Sequence, residues 1–164
     1  MSSNPAPIQC RPQAVEAHWI DYNGHMNMAY YLVAFDRAVD EVFDQLGIGA
    51  AYTASGEGSV FTREVRVNYL SEALQGDDLH ITWQLLDADS KRLHYFQEMT
   101  RGSDGELLAT SEQLALHVSM STRRSAPLPE QAAAAIAKLQ SAHATLPKPA
   151  GRERPLGIVR RAPQ

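Results

Sequence analysis

The chain has 164 residues, of which 44% are hydrophobic and 21% charged. That is enough apolar material for one globular domain, too little chain for two ordinary ones, and it excludes wholesale disorder. Lys plus Arg is 15 and Asp plus Glu is 19, a net charge of -4, which argues against nucleic acid as a general partner. No apolar run approaches the roughly 20 residues that a membrane helix needs. The opening, MSSNPAPIQC, has no basic segment followed by an apolar one, so a cytoplasmic location is expected. The lone Cys10 excludes an intramolecular disulfide and a cysteine-based zinc site.

Residues 1–7 are polar, carry two prolines and read as a flexible N-terminus. Residues 8–19 read as one extended strand. Asp21-Tyr22-Asn23-Gly24 reads as a sharp turn, since Asn and Gly tolerate left-handed backbone. From Met28 to Leu46 the spacing predicts a helix: Leu32, Phe35, Val39, Val42 and Leu46 recur at steps of three and four. Asn27 suits its cap and Gly47 its end. One helical turn is expected near Ala50–Thr53.

The period then changes to two. In Val60–Leu70, Phe61, Val65, Val67 and Tyr69 are expected on one face and Thr62, Glu64, Arg66 and Asn68 on the other, with Arg63 breaking the apolar side. Leu79, Ile81, Trp83 and Leu85 alternate in the next strand. Leu93–Arg101 and Leu107–Met120 follow, joined by short turns, so these three strands are expected to be antiparallel neighbours. Pro129–Gln140 is an Ala-rich helix. Residues 8–144 thus form one α+β domain in which a curved antiparallel sheet buries one long helix. Residues 145–164, rich in Pro and Arg, read as a solvated tail; a phosphate contact is the alternative.

The densest polar and aromatic cluster runs from His18 to Tyr31, where a strand gives way to the helix. A helix start presents unpaired N–H groups and partial positive charge, which would polarise a carbonyl aimed at it. Asp21 is placed to act there as base or nucleophile. Equally, Asp21 and Asn23 read as turn and cap residues and His25 as a packing residue. His18 and His25 lack the spacing of a zinc pair. No G-x-S-x-G elbow is present.

Asp21-Tyr22-Asn23-Gly24-His25-Met26-Asn27 matches the D-x-x-G-H-x-N pattern of hotdog-fold acyl-CoA thioesterases of the 4-hydroxybenzoyl-CoA thioesterase-like group. Trp19, Tyr30-Tyr31, Arg63–Tyr69 and Gly76–Leu79 are similar to that group as well. The resemblance covers residues 8–141. It implies a hotdog fold, a five-stranded antiparallel sheet wrapped around one long helix. It also implies a homodimer, often paired into a tetramer, with sites at the dimer interface. An acyl-CoA would be the small-molecule partner, with no metal and no cofactor. Asp21 is implied as the catalytic residue and the Met28 backbone N–H as the group polarising the thioester oxygen, with His25 and Asn27 in the same catalytic motif. Many relatives have a second Asn where Met28 stands, and an acidic residue where Trp19 stands. Both departures bear on substrate preference rather than on the chemistry.

The stretch His117–Pro127 resembles more closely the thioesterases associated with carnitine breakdown, some fused to carnitine dehydrogenase. That resemblance implies betainyl-CoA as substrate. A quaternary ammonium is held by aromatic faces, and Trp19, Tyr22, Tyr30, Tyr31 and Tyr69 are the candidates; core or interface packing is their commoner fate. Glu64 would position water or meet a partner subunit, or lie solvated. Arg63, Arg123 and Arg124 would meet coenzyme A phosphates, or serve no ligand. Two other readings remain. A hotdog 3-hydroxyacyl thioester dehydratase relies on a His followed by prolines, whereas His25 precedes Met26-Asn27-Met28. A non-catalytic acyl-CoA-binding dimer would tolerate loss of the Asp21 carboxylate.

Overall fold

The computed structural model describes residues 5–152. Two short strands, β1 (Ile8–Gln9) and β2 (Gln13–Ala14), lead through a 3-10 turn at Ala17–Trp19 to helix α1 (Met28–Gln45). A short helix, α2 (Ala50–Ala54), precedes strands β3 (Gly58–Tyr69), β4 (Asp78–Ala88), β5 (Arg92–Arg101) and β6 (Leu107–Ser119). Helix α3 (Glu130–His143) follows. The strands form one antiparallel six-stranded sheet in the order β1-β4-β5-β6-β3, with β2 also on β4. This is the expected hotdog arrangement, with one more strand than the five expected. The difference comes from residues 8–19, which form two short pairings and a 3-10 turn instead of one strand. Pro12 lies between the two pairings, and a proline has no N–H to give to a ladder.

Helix α1 forms because its apolar residues line one side and both ends are capped. The Asn27 side chain accepts a hydrogen bond from the Ala29 N–H at 3.0 Å. At the other end Gly47 takes a φ of +74°. Its N–H donates to Asp44 and the Ile48 N–H to Phe43, a Schellman ending. The buried face comprises Tyr31, Ala34, Phe35, Ala38, Val39, Val42 and Phe43. Leu32, expected on that face, is 39% exposed. The helix buries Tyr31, Ala34, Phe35 and Ala38 instead, which leaves Leu32 at the rim.

The inner face of the sheet carries Ile81, Trp83, Leu85, Leu93, Tyr95, Met99, Ala109 and Ala115, all in the same core cluster as α1. A buried polar chain also links sheet to helix. The Tyr95 hydroxyl donates to Gln113 (3.0 Å), Gln113 donates to Gln97 (3.0 Å), and Gln97 donates to the Phe35 carbonyl of α1 (3.0 Å). Each member is partnered, so the chain fixes register without orphaning a polar group.

Strand β3 corrects one expectation. Its pairing with β6 slips at Thr62/Glu64, so Arg63 is the extra residue of a β-bulge. The bulge reverses the alternation. Val60, Thr62, Val65, Val67 and Tyr69 lie opposite inner-face residues of β6, whereas Phe61 lies opposite Leu116 and shares the outer face with Glu64, Arg66 and Asn68. β3 is also an edge of the sheet, opposite the one formed by β1 and β2.

Residues 147–152 run over the outer face. The Gln84 side chain donates to the Pro147 carbonyl (3.2 Å), and Arg152 donates to Glu112 (3.2 Å) while its carbonyl accepts from Arg66 (3.0 Å). The remainder of the expected tail, 153–164, lies outside the described residues, as do residues 1–4 of the expected flexible N-terminus.

Helix α3 closes the end of the core with Ala132, Ile136 and His143. His143 Nδ1 accepts from the Leu85 N–H at 2.9 Å and must be unprotonated to do so. Burial lowers its pKa below the ordinary 6.5, and a bond with the Ala6 backbone opposes that shift. A lowered folded-state pKa means that the contribution to stability is complete above about 6.5 and declines as pH falls toward the folded value. Urea midpoints are therefore expected to fall between about pH 8 and about pH 5.5, with a smaller fall in His143→Asn, which keeps an acceptor but cannot titrate. Removing the α1 cap in Asn27→Ala is expected to cost about 1 kcal/mol in the same assay at neutral pH.

Candidate active site

Residues 18–28 form a tight, cross-braced turn between the 3-10 turn and α1. Ile20 and Met26 bridge in antiparallel fashion, the Asp21 N–H donates to the His25 carbonyl (3.1 Å), and the Gly24 N–H donates to the Asp21 carbonyl (3.0 Å). Gly24 adopts a φ of +83°, a conformation strained for other residues. The Asn27 N–H donates back to the Trp19 carbonyl at 2.9 Å. The turn thus hangs Asp21 beside the start of α1.

The Asp21 carboxylate has two neighbours. Oδ1 accepts from the Asn23 N–H at 2.8 Å and Oδ2 from the Asn27 amide at 3.4 Å. Asn27 is therefore double-ended. Its oxygen caps the helix and its nitrogen steadies Asp21. The Met28 N–H, first of the helix amides, has no hydrogen-bond partner among the described residues. A partly exposed carboxylate thus lies next to a helix start with donor capacity left over. His25 stands on the other side, its Nε2 4.0 Å from a Glu72 carboxylate oxygen.

The five candidate aromatics do not converge within one chain. Trp19 is 1% exposed and stacks on Tyr30 with centroids 5.4 Å apart. The Arg37 guanidinium already lies 5.1 Å from the Trp19 ring centroid. Tyr31 is buried and structural: its hydroxyl accepts from the Ala73 N–H (2.9 Å) and donates to the Ser71 carbonyl (3.2 Å). Burial holds its phenol above the ordinary pKa. Tyr69 meets Tyr31 edge to face at 5.3 Å and donates its hydroxyl to the Met28 carbonyl at 3.1 Å. Tyr69 therefore sits at the helix start, with 45% of its surface open. Tyr22 is 97% exposed at the tip of the turn.

The charged candidates lie elsewhere. Arg63 is the exposed bulge residue. Glu64 is on the outer face, where it lines a cleft of about 450 Å³ with Arg66, His94 and Glu112. That face is opposite the one carrying α1. Arg123 and Arg124 are exposed between β6 and α3, with Arg123 at a φ of +58°. Among the described residues, no group of three or more His, Cys, Asp or Glu side chains is arranged to hold a metal ion. No helix among them is long and apolar enough to cross a membrane.

Sequence reasoning missed one part of the site. The Met26 N–H donates to the Ala73 carbonyl at 2.8 Å, so the segment between β3 and β4 braces the Asp21 turn. That contact joins positions 47 apart in the chain, and no local pattern announces it.

Known proteins share both pattern and architecture. Residues 15–136 match the Thioesterase-like superfamily. A betainyl-CoA thioesterase of Pseudomonas aeruginosa is 38% identical over 140 residues, which span 85% of this chain and 88% of that protein. An L-carnitine dehydrogenase/betainyl-CoA thioesterase of Rhizobium meliloti is 36% identical, over 94% of this chain but only 31% of that longer protein. Among solved structures, a hypothetical protein of Staphylococcus aureus in complex with CoA superposes with a TM-score of 0.88 at 29% identity, over 97% of this chain and 99% of that one. A 1,4-dihydroxy-2-naphthoyl-CoA thioesterase of Synechocystis shares the fold, with a TM-score of 0.72 at 18% identity over 80% of this chain and 97% of that one. The D-x-x-G-H-x-N turn, the long capped helix and the match over residues 15–136 together place this chain in the thioesterase-like superfamily.

Proposed function

We propose that the protein hydrolyses an acyl-CoA thioester, with Asp21 as the reacting carboxylate. The observation that carries this reading is the hydrogen bond to Asp21 from Asn27, the cap of α1, one residue before the Met28 N–H, which has no partner among the described residues. A thioester carbonyl seated there would lie against a donor and the positive end of the helix dipole. Asp21 then removes a proton from water, whose oxygen attacks the carbonyl carbon, or attacks that carbon itself to form an acyl–aspartyl anhydride that water afterwards hydrolyses to regenerate the carboxylate. The C–S bond breaks, the sulfur leaves as coenzyme A thiolate and takes a proton, and the acid is released.

The names of the relatives support betainyl-CoA as the ester. Its quaternary ammonium cannot accept or donate a hydrogen bond, so it needs ring faces. With Trp19, Tyr30 and Tyr31 committed to packing, Tyr69 and Tyr22 are the rings left to meet it. Tyr69 is the better placed, since it already touches the Met28 carbonyl.

The functional unit of this reading is a homodimer. β3 offers a free edge of 12 residues, with Val65 and Tyr69 exposed on its inner face and Phe61 on its outer face. A long apolar edge of this kind needs cover, and a second copy of β3 would supply it. A partner lying there would also wall the space beside Tyr69.

Thiol release from a panel of acyl-CoAs, betainyl-CoA included, tests the reading. Asp21→Asn is expected to lower turnover by about 100-fold or more while CoA-ester binding persists. Binding without turnover in both proteins would instead mark a sensor. Tyr69→Ala is expected to raise KM for the cationic ester by roughly 3-fold to 30-fold relative to a neutral one, and Tyr69→Phe to leave that ratio near wild type. An equal loss on both esters would remove Tyr69 from the cation site.

A further inference from the structure

Arg101, the last residue of β5, ties the β5–β6 turn to the segment between β3 and β4. Its guanidinium donates to Asp104 (2.7 Å) and Glu106 (2.6 Å) in the β5–β6 turn. It also donates to Asp77 (3.2 Å) and to the Glu72 carbonyl (2.8 Å) in the segment between β3 and β4. The Ser71 hydroxyl adds a bond to Glu106 at 2.6 Å, and Asp77 accepts the Leu74 N–H at 2.9 Å. The Arg101 side chain is only 16% exposed. Residues 71–77 are therefore held at both ends.

Ala73 lies in the middle of this segment and is fully buried. Its N–H donates to the Tyr31 hydroxyl of α1 (2.9 Å), and its carbonyl accepts from the Met26 N–H of the Asp21 turn (2.8 Å). One residue thus connects the helix to the turn. Ala73 is therefore bonded both to the turn that carries Asp21 and to the first turn of α1.

We propose that Arg101 is a positioning residue for the thioesterase site: by clamping residues 71–77 it sets Ala73, and through Ala73 the placement of Asp21 against the start of α1. This rests on the reading of Asp21 as the reacting carboxylate. Arginine suits the task because one rigid plane with five donors serves three carboxylates and a carbonyl. A lysine has three donors at one point and cannot span them. Without the guanidinium, Asp77, Asp104 and Glu106 would face one another as unbalanced charges. Asp104 and Glu106 are already held below the usual carboxylate range. For Asp104 the leading cause is the Glu106 N–H and for Glu106 it is the Ser71 hydroxyl, with Arg101 next in both.

The test uses the full chain and the fastest ester of the panel, with Arg101→Met, Arg101→Lys, Tyr31→Phe and the double variant R101M/Y31F. A displacement near 1 Å at a reacting group can cost about 100-fold in rate. Arg101→Met is therefore expected to lower kcat by about 10-fold to 100-fold with KM within about threefold of wild type. Arg101→Lys should recover part of the loss. Tyr31→Phe should lower kcat as well. The double variant should lose little more than the worse single one, because both act through Ala73. A second arm needs no activity: the Met26 amide should exchange with deuterium about tenfold faster in Arg101→Met, with the β4–β5 ladder unchanged. A normal kcat in Arg101→Met, fully additive losses, or an unchanged Met26 exchange rate would overturn the proposal. If the wild-type chain hydrolyses no ester, the thioesterase reading fails separately, and the exchange arm decides whether Arg101 holds the turn.

Discussion

Helix α1 has one apolar face and must hide it. Phe35, Val39 and Val42 each contribute roughly 2 kcal/mol by leaving water, and here a sheet covers that face. The remaining architecture follows from that burial. The inner faces of β4, β5 and β6 supply the cover, and Gln97 locks the register by donating to the Phe35 carbonyl. Once the helix is laid on the sheet, its start has only one place to emerge. The polar turn that precedes it is carried to the same place.

The site is an economical use of that end. A helix start always carries spare N–H groups. Here Asn27 takes one of them, the Ala29 N–H, and turns its own amide toward Asp21. A single side chain therefore caps the helix and orients the carboxylate. Tyr69 adds a third link by binding the Met28 carbonyl from β3. The helix cap and the candidate catalytic group share the Asn27 side chain, so a change that frees the cap also loosens Asp21.

Much of this was legible in the chain itself. The boundaries of α1, both its caps and the three antiparallel strands follow from local periodicity and turn chemistry, which need no knowledge of distant residues. The D-x-x-G-H-x-N run pointed to the Asp21 turn for the same reason, since its bonds link residues within six positions of one another. Where local pattern misled, a specific feature intervened. One bulge residue, Arg63, moved Phe61 to the outer face. Residues 8–19 broke into two pairings rather than one strand.

The aromatic residues mark the boundary between the two kinds of information. Their number and spacing around the turn suggested a common pocket, but spacing cannot say which ring face is already covered. Packing assigned Trp19 to Tyr30 and Arg37, assigned Tyr31 to Ala73, and left Tyr69 and Tyr22 open. The sequence by itself determined α1, its caps and the turn that carries Asp21, because those depend on bonds between residues close along the chain. Only the tertiary structure decided that Ala73 and Arg101 stand behind the Asp21 turn. Those contacts join residues dozens of positions apart, and they exist only after the helix has been buried against the sheet.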